Sequence, residues 1–334
     1  MHRDVVSVQF SLHTCPVISP LIAPEIVCLG EPLYEFSQLP GEDRRYLQGF
    51  GGDTMNAAIA AARQGARVAY LTRLGDDEFG RQFQALWKEE GVDASGVTTD
   101  PEAHTAVYFI THGAQGHQFS YLRAGSAASR MGPEHLPLAL IARSKILHTS
   151  GITQAISPTA CDTAFTAMAH ARASGVQVSF DSNLRLRLWP LQRAKAIICA
   201  TIPLSDYFLP SLEDAQALSG LEDPEAIVDW CHASGARHVA LKLGAQGVLA
   251  SDGTRRRRIA GHVVQCVDAT GAGGCFAGTL LARLVAGDDY WEATRYANAA
   301  AALATTGYGA VTPLPRPVQV LALLAKSSTP HGPR

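Results

Sequence analysis

The sequence predicts an α/β fold in which a mainly parallel central sheet carries helices on both faces, with a small β-sheet beside it. Short apolar stretches alternate with amphipathic or Ala-rich stretches along most of the chain, as expected of parallel strands connected by helices. Residues 103–110 and 116–123 are instead rich in β-branched and aromatic residues, which predicts a hairpin. A glycine-rich stretch at 268–276 lies between an apolar run and a long Ala/Leu-rich helix.

The composition favours a protein that binds a small molecule. A chain of 334 residues with 47% hydrophobic content can bury one large α/β core or two smaller ones. The net charge of −2 gives no electrostatic reason to expect nucleic acid or an anionic membrane as a partner. No apolar run approaches the roughly 18 to 20 residues of a membrane helix. The 7 cysteines lack metal-site spacing, which indicates reduced thiols and a cytoplasmic location.

The two ends of the chain are predicted to lie outside the folded domain. Residues 1–24 have apolar character broken by Pro16, Pro20 and Pro24, without a clean basic region or a small-residue cleavage site. We therefore expect a disordered or over-long leader rather than a signal peptide. The predicted domain spans residues 25–320, and residues 321–334 form a tail. Residues 31–50 and 103–124 are expected to supply the small sheet.

The first half of the domain is predicted to open with a buried parallel strand. Residues 25–30 are almost wholly apolar and end in glycine, and residues 31–36 continue the strand. A polar loop is expected over 37–48. An Ala-rich helix follows at 57–64, for which Asp53 or Thr54 is the natural N-cap, and the next strand is expected at 67–71.

The second half is predicted to alternate regularly between strands and helices. The run from Arg255 to Arg258 falls in a predicted hairpin, and we interpret it as a solvated edge strand, since charged side chains protect sheet edges from pairing. Strands are expected at 144–150, 176–183, 206–209 and 237–243, helices at 158–174, 191–201, 211–218, 224–234, 276–286 and 290–306, and the hairpin at 247–264.

The segment Gly271-Ala272-Gly273 has the chemistry of an anion-binding loop. Its small residues allow backbone N–H groups to close on a phosphate, and the helix from about Cys275 directs its positive end to the same point. Negative charge that develops during phosphoryl transfer would be stabilised there. The alternative interpretation is a plain glycine-rich turn.

Residues 268–276 resemble the second signature of the PfkB, or ribokinase-like, family of carbohydrate kinases, whose pattern is Asp-x-x-Gly-Ala-Gly-Asp. Residues 49–56 resemble the first signature, and residues 73–80 are also similar to the family. The resemblance covers about residues 25–314 and implies a ribokinase-like three-layer sandwich with a β-sheet lid. It also implies ATP and Mg²⁺ as cofactors, and a homodimer through the lid as one possibility. Gly274 departs from the pattern, because the family places its catalytic Asp there.

Three stretches are similar to the 2-keto-3-deoxygluconate kinases within this family, namely residues 51–54, 121–128 and 181–189. A sugar acid carries a carboxylate, and the planar guanidinium of arginine binds a carboxylate through two parallel hydrogen bonds. We therefore expect Arg123 and Arg185 to hold the substrate carboxylate, although each would also suit a surface position after a strand. The other expected substrate residues are Gly51, Gly52, Asp53 and Asn56 at the sugar hydroxyls and Tyr108 and Tyr121 in the lid.

The resemblance also implies a nucleotide site. Residues 242–247 match the family's Lys-x-Gly-x-x-Gly at the end of a predicted strand, and Asn298 would lie beside the adenine. Ser211 and Asp214 stand where the family has Asn-x-x-Glu, so Asp214 is expected to assist Mg²⁺ through water. Ser211 suits an N-cap equally well, and Asn298 suits a solvent-facing helix position. The expected nucleotide-binding residues are Ser211, Lys242, Gly244, Gly247, Asp268, Gly271, Gly273 and Asn298.

Three functions are compatible with the sequence. The first is an ATP-dependent kinase that phosphorylates 2-keto-3-deoxygluconate, or a close sugar acid, on its primary hydroxyl. Gly274 would impair this enzyme, since loss of a general base slows a reaction on the order of 10² to 10⁴-fold. The second is a non-catalytic protein that binds sugar and nucleotide. The third is a kinase of a neutral sugar or a nucleoside.

Overall fold

The computed structural model describes residues 23–39, 41, 44–113 and 116–327 of the chain. The predicted leader therefore lies almost wholly outside the described residues, as does the predicted tail beyond residue 327. The first part of that tail belongs to a helix that begins at Pro317 and ends at Ser327. No helix in the described part of the chain is long and apolar enough to span a bilayer.

The described residues form thirteen strands in two sheets. Nine strands form the large sheet in the order β13-β12-β11-β10-β9-β8-β1-β4-β5, and four form the small sheet in the order β3-β2-β6-β7. The strands are β1 (Ile26–Leu29), β2 (Leu33–Gln38), β3 (Tyr46–Gly51), β4 (Val68–Gly75), β5 (Val97–Asp100), β6 (Val107–Gly113), β7 (Gly116–Leu122), β8 (Ile146–Ser150), β9 (Gln177–Asp181), β10 (Tyr207–Phe208), β11 (His238–Lys242), β12 (Val248–Ser251) and β13 (Arg256–Ile259).

Parallel pairing dominates the large sheet, as predicted. β1 pairs in parallel with β4 and β8, and the parallel arrangement continues through β9 and β10 to β11. Among the described strands of this sheet, β12 alone runs opposite to the others, because it pairs antiparallel with both β11 and β13. Arg256, Arg257 and Arg258 are exposed on the outermost strand, which confirms the prediction of a solvated edge strand. The hairpin is shorter than predicted, because β13 already ends at Ile259.

Helices cover both faces of the large sheet. In β1, Ile26 and Cys28 pack with one set of helices, while the alternating Val27 and Leu29 pack with the other, as the two-residue repeat of a strand requires. This is the expected three-layer sandwich. The helices in the described chain are α1 (Asp53–Arg63), α2 (Glu78–Glu90), α3 (Leu138–Ala142), α4 (Gly151–Ala155), α5 (Pro158–Ala173), α6 (Leu191–Thr201), α7 (Leu212–Ser219), α8 (Pro224–Ala233), α9 (Ala272–Val285), α10 (Tyr290–Ala304) and α11 (Pro317–Ser327).

The small sheet confirms the predicted lid, with two differences in its strands. β1 ends at Leu29, and β2, which begins at Leu33, belongs to the small sheet. Contrary to the prediction, residues 31–36 therefore do not continue the first strand. β3 occupies Tyr46–Gly51, so residues 46–48, which were expected to be loop, belong to a strand. Aromatic packing holds β2 in the small sheet, since Phe36 of β2 stacks on Phe109 of β6 with ring centroids 5.2 Å apart.

Helices α1 and α9 pack against each other at very short range. A β-carbon on Gly278 of α9 would lie 2.0 Å from the carbonyl oxygen of Ala57 in α1, so only glycine permits this approach. Both helices begin in glycine-rich stretches, at Gly52 and Gly271. The contact therefore places the two stretches that resemble the family signatures side by side.

Candidate active site

Polar side chains gather at the carboxyl edge of the parallel strands. Asp181 is the last residue of β9, Lys242 the last of β11 and Ser150 the last of β8. Helix α1 begins at Asp53, and the carboxyl group of Asp53 lies near Ser150 and Asp181. Ligands of open α/β sheets bind at this edge.

The anion-binding loop has the geometry that its sequence predicts. Gly271 adopts a left-handed conformation with φ of 81°, and a β-carbon there would lie 2.6 Å from the carbonyl oxygen of Ala310. Helix α9 begins at Ala272, four residues earlier than predicted, so the loop amides belong to its first turn, where N–H groups lack intrahelical acceptors. Asp268 organises the loop, accepting hydrogen bonds from the amides of Thr270 (2.9 Å) and Gly309 (3.0 Å).

A buried ion pair lies next to this loop. The ammonium nitrogen of Lys242 lies 3.0 Å from each carboxylate oxygen of Asp181. The side chain of Asp181 is 5% exposed and that of Lys242 is 16% exposed, so solvent screens the pair little. Buried His148 lies nearby, and burial lowers its pKa to about 4, which keeps its ring uncharged near pH 7.

The predicted N-cap of helix α1 is wrong. Gly52, with φ of 112°, precedes the helix, and no side chain caps it. Instead Oδ2 of Asp53 accepts a 2.9 Å hydrogen bond from the side-chain amide of Asn183, a residue whose backbone φ is 29°. Burial raises the pKa of Asp53, while the nearby Ser150 hydroxyl and Arg185 guanidinium act in the opposite direction. The second carboxylate oxygen, Oδ1, is buried without a hydrogen-bond partner in the described structure.

Asn56, one turn further along α1, repeats this pattern. Its side-chain oxygen is also buried without a hydrogen-bond partner among the described residues. Buried acceptors without donors are rare in folded proteins, since each destabilises the fold by about 1 to 3 kcal/mol. The two acceptors of Asp53 and Asn56 therefore suit a ligand that brings hydroxyl groups.

Arg123 has a partner within the chain that the sequence did not reveal. Its guanidinium donates to the carboxylate of Glu31, which also accepts a 2.9 Å hydrogen bond from the hydroxyl of Ser126. The Glu31 side chain is fully buried, and burial raises its pKa although Arg123 opposes the shift. Arg123 was expected to bind the substrate carboxylate, but its positive charge is already paired with Glu31.

The lid contributes a second buried carboxylate. The hydroxyl of Tyr108 donates to Glu35, and a β-carbon on Gly51 would lie 2.7 Å from that hydroxyl. Burial of the ring, and then the negative charge of Glu35, raise the pKa of Tyr108. Tyr121 stacks beside Tyr108 with ring centroids 5.8 Å apart, and is 40% exposed. Gly51, Tyr108 and Tyr121 are therefore adjacent, as the resemblance implies.

Arg185 differs from Arg123 in being exposed. One of its guanidinium nitrogens donates to the carbonyl oxygen of its neighbour Leu184 at 3.0 Å, and its charge acts on Asp53. Arg187, two residues further on, is also exposed and donates to the carbonyl oxygen of Phe119 in the lid at 3.3 Å. Arg185 therefore lies on the side of the site that Asp53 occupies.

The expected nucleotide residues lie on several elements. Lys242 ends β11, Ser211 precedes α7 and Asn298 lies in α10. Gly244 and Gly247 form the turn directly after Lys242. Asn298 does not face solvent, because it is 7% exposed and its amide donates to the carbonyl oxygen of Ala260 at 2.8 Å. The solvent-facing interpretation of Asn298 is thus wrong, and this side chain instead fixes the chain that follows β13.

Ser211 and Asp214 make the N-terminal contacts of α7. The hydroxyl of Ser211 caps the helix by accepting a 3.1 Å hydrogen bond from the amide of Asp214. One oxygen of Asp214 accepts from Ser182 at 2.8 Å and from the amide of Leu184 at 3.0 Å, and burial raises the pKa of Asp214. The described residues contain no group of three metal-binding side chains. Asp214 is the position where water-mediated assistance to Mg²⁺ is expected from the sequence, and its Oδ2 already accepts these two hydrogen bonds.

Gly274, where the family pattern has an Asp, is enclosed by α1. A β-carbon at this position would lie 2.8 Å from both the carbonyl oxygen of Asp53 and the β-carbon of Asn56. Such distances require the backbone to move, because neither neighbour is the end of a flexible side chain. The close packing of α1 against α9 therefore requires glycine at this position, and the position consequently has no carboxylate.

Sequence reasoning missed four polar residues of this site, namely Glu31, Glu35, Asp181 and Asn183. Asp181 is the last residue of a buried strand and Glu31 lies two residues after one, which was an available signal. The pairing of Glu35 with Tyr108 could not be read from the chain, because it depends on the register of β2 against β6.

Comparison with known proteins gives a consistent result. The profile of the "pfkB family carbohydrate kinase" matches residues 23–317. A 2-dehydro-3-deoxygluconokinase from Thermoproteus tenax is 35% identical, over 90% of this chain and 94% of its own. A probable fructokinase-4 from Arabidopsis thaliana is 33% identical, over 90% and 96%.

A solved structure extends this similarity to the fold. The fructokinase from Vibrio cholerae O395, in its form with fructose, ADP and calcium ion bound, is 30% identical. It covers 90% of this chain and 99% of its own, with a TM-score of 0.81. Fold, site and sequence agree, and the chain belongs to the PfkB family of carbohydrate kinases, whose members similar to it are ATP-dependent sugar kinases.

Proposed function

We propose that this protein phosphorylates 2-keto-3-deoxygluconate, or a close sugar acid, on its primary hydroxyl, giving 2-keto-3-deoxy-6-phosphogluconate and ADP. One observation carries the proposal. Oδ1 of Asp53 and Oδ1 of Asn56 are buried acceptors without donors in the described structure, and the exposed guanidinium of Arg185 acts on Asp53. A ligand that brings several hydroxyl groups and one carboxylate satisfies all three groups at once.

The hydroxyl groups of the sugar are assigned to helix α1. Asp53 and Asn56 accept from them, which removes two unsatisfied acceptors from the protein. Glycines at 51 and 52 let the sugar approach the backbone at the start of the helix. Tyr108 and Tyr121 lie over this point in the lid.

The substrate carboxylate is assigned first to Arg185. Its guanidinium keeps donors beyond the one bonded to Leu184, and two of them can meet a carboxylate together. Arg123 contributes less direct attraction than the sequence implies, because Glu31 already neutralises it. Its buried Nε, which has no hydrogen-bond partner in the described structure, can still donate to the sugar acid.

The phosphoryl group is assigned to the loop at Gly271 to Gly273. The first-turn amides of α9 face developing negative charge there, and Lys242 adds a positive charge from the end of β11. Gly244, Gly247 and Asn298 shape the neighbouring nucleotide site. When Mg²⁺ is bound, it neutralises phosphate charge, and Asp214 orders water around it.

A neutral sugar such as fructose is the second candidate, and a nucleoside falls in the same class. The observation in its favour is the Arg123–Glu31 pair, which leaves one fewer free positive charge for a carboxylate. The similar fructokinases point the same way. A non-catalytic sugar-binding and nucleotide-binding protein is the third candidate, because Gly274 offers no base.

We also propose a cytoplasmic homodimer formed through the lid. Leu47 of β3 is 60% exposed on the small sheet, which supports a covering partner. Light scattering behind a sizing column tests this. The replacement Leu47→Asp is expected to give monomers, whereas a wild-type monomer would contradict the proposal.

The test of function is ADP release with Mg²⁺, ATP and each of 2-keto-3-deoxygluconate, fructose, ribose and adenosine. The proposal expects kcat/KM for the sugar acid to exceed the others at least tenfold. A preference for fructose, ribose or adenosine would establish the second candidate. Thermal stabilisation by sugar and ATP without ADP release would establish the third.

A further inference from the structure

The site lacks a base where the family pattern places one. Gly274 carries no side chain, and α1 leaves no room for one. A general base must come within about 2.6 to 3.2 Å of the proton donor when substrate is bound. A carboxylate that serves the reaction must therefore lie beside the phosphoryl-binding loop.

Most carboxylates near the loop are committed to other contacts. Both oxygens of Asp268 accept backbone amides. One oxygen of Asp214 accepts two hydrogen bonds within the protein. Asp53 accepts from the side-chain amide of Asn183 through Oδ2, and its unpartnered Oδ1 is assigned above to a sugar hydroxyl.

Asp181 is the carboxylate that faces the loop. A β-carbon built on Gly273 would lie 3.8 Å from Oδ2 of Asp181 and 3.5 Å from the ammonium nitrogen of Lys242. These are ordinary contact distances, so the ion pair is directly adjacent to the loop backbone. Its position is rigid, because Asp181 ends a strand that is paired on both sides.

We propose that Asp181 is the catalytic base of this protein and performs the role that the family pattern gives to an Asp at position 274. The inference rests on the proposed kinase function. As the hydroxyl oxygen of the sugar forms a bond to the γ-phosphorus of ATP, its proton passes to Oδ2 of Asp181. The bond from that phosphorus to the β,γ-bridging oxygen breaks with its electron pair, which gives ADP. The proton then leaves Asp181 for solvent.

Lys242 has two partners in this scheme. Before the nucleotide binds, its ammonium group holds Asp181 through both oxygens. Phosphate oxygens at the loop then compete for the same ammonium group, which frees one oxygen of Asp181 to accept the hydroxyl proton. The pair thus couples the arrival of the nucleotide to the availability of the base.

The groups around Asp181 determine how its pH dependence is tested. Lys242 faces it from β11, His148 from β8, Asp53 from α1 and Asp214 from α7. His148 stays neutral above about pH 5, because burial lowers its pKa to about 4. An acidic limb that disappears only on substitution of Asp181 therefore belongs to Asp181.

The experiment compares Asp181→Asn with the unmodified protein on whichever sugar the latter phosphorylates best. We expect kcat to fall on the order of 10² to 10⁴-fold, with KM for ATP changed less than fivefold and the acidic limb of the kcat profile lost. Asp206→Asn is the matched control, since Asp206 is also buried and ion-paired, to Arg237 at 3.0 Å, but at the opposite end of the strands. Its kcat should stay within threefold of the parent.

Three results would overturn the assignment. An unchanged kcat in Asp181→Asn excludes Asp181 as base. So does a loss of the acidic limb in Asp53→Asn but not in Asp181→Asn. If Asp181→Asn does not fold, Asp181→Glu decides, because it keeps the ion pair but moves the oxygen by one methylene. An at least tenfold fall in kcat supports the base and an unchanged kcat excludes it. If the unmodified protein releases no ADP with any sugar, the proposed function itself fails instead.

Discussion

The carbonyl oxygen of Asp53 lies 2.8 Å from where a β-carbon of Gly274 would stand. Helices α1 and α9 are therefore in backbone contact at the position where the family pattern has an Asp. Restoring that carboxylate must first separate the helices, so the glycine is not a simple loss of one side chain.

Gly274→Asp and Gly274→Ala are accordingly expected to destabilise the protein by similar amounts. Overpacking costs about 1 to 3 kcal/mol, which corresponds to a fall of several degrees in Tm. Differential scanning calorimetry measures this, with ADP release in parallel. A Gly274→Asp protein that keeps the parental Tm and turns over tenfold faster than Gly274→Ala would show that the site accepts its base there after all.

Substitution of Arg123 is expected to act mainly on the free energy of unfolding and less on the preference for a sugar acid. Arg123→Met leaves Glu31 buried without its cation, and breaking a buried ion pair in this way costs about 3 to 5 kcal/mol. Adding Glu31→Gln should recover most of the loss. Urea denaturation of both variants provides the measurement.

The matched control for this pair is Arg81→Met. Arg81 is 61% exposed and pairs with exposed Asp76 and Glu78, and solvent screens surface pairs of this kind, so the loss of Arg81 should change stability little. If Arg123→Met is no less stable than Arg81→Met, Glu31 does not depend on Arg123.

Asp53→Asn should make the protein more stable at neutral pH while weakening sugar binding. Burial raises the pKa of Asp53 in the folded protein above the ordinary value of 3.8. The stability that Asp53 contributes is thus present below pH 3.8 and is lost as the pH rises through the folded pKa, so the advantage of Asn appears above that pKa and vanishes in acid.

Denaturation midpoints of the parent and Asp53→Asn between pH 3 and 8 test this sign. The two curves should converge towards pH 3 and separate towards pH 8, with the variant higher. A variant that is less stable at pH 8 would mean that the ionised Asp53 stabilises the fold.

Arg185→Met should act selectively on the sugar acid. A hydrogen bond to a charged group contributes about 1.5 to 3 kcal/mol, so kcat/KM for 2-keto-3-deoxygluconate is expected to fall about 10 to 100-fold. Turnover of fructose, which has no carboxylate, should change less than threefold. Arg187→Met is the control, being exposed on the same segment but bonded to the lid backbone. Equal losses on both sugars would remove Arg185 from the carboxylate site.

Local patterns sufficed for the sheet and the major helices. The buried runs that became β8, β9 and β11, and the helices α5, α6 and α10, lie within about two residues of their predicted bounds. Apolar periodicity sets these elements, and it is a local property of the chain. Helix starts at Asp53 and Ala272 were missed, because backbone conformation at Gly52 and Gly271 sets them and no capping side chain does.

The sequence identified individual candidate residues of the site, but it did not identify which residues pair with each other. Asp53, Asn56 and the loop at Gly271 to Gly273 were named as candidates from their own stretches, and the structure brings these stretches together. The partnership of Arg123 with Glu31 joins positions 92 residues apart, and that of Lys242 with Asp181 joins positions 61 apart. Such pairs follow from the order of the strands, which the sequence does not display residue by residue.

The most direct measurement is phosphorus NMR of the unmodified protein incubated with ATP, Mg²⁺ and 2-keto-3-deoxygluconate. We predict that ADP and one new phosphomonoester signal, coupled to the protons of carbon 6, appear in equal amounts and depend on the sugar acid. If ATP remains intact after the enzyme has been incubated for many hours at saturating sugar acid, the chain is not a kinase of this substrate.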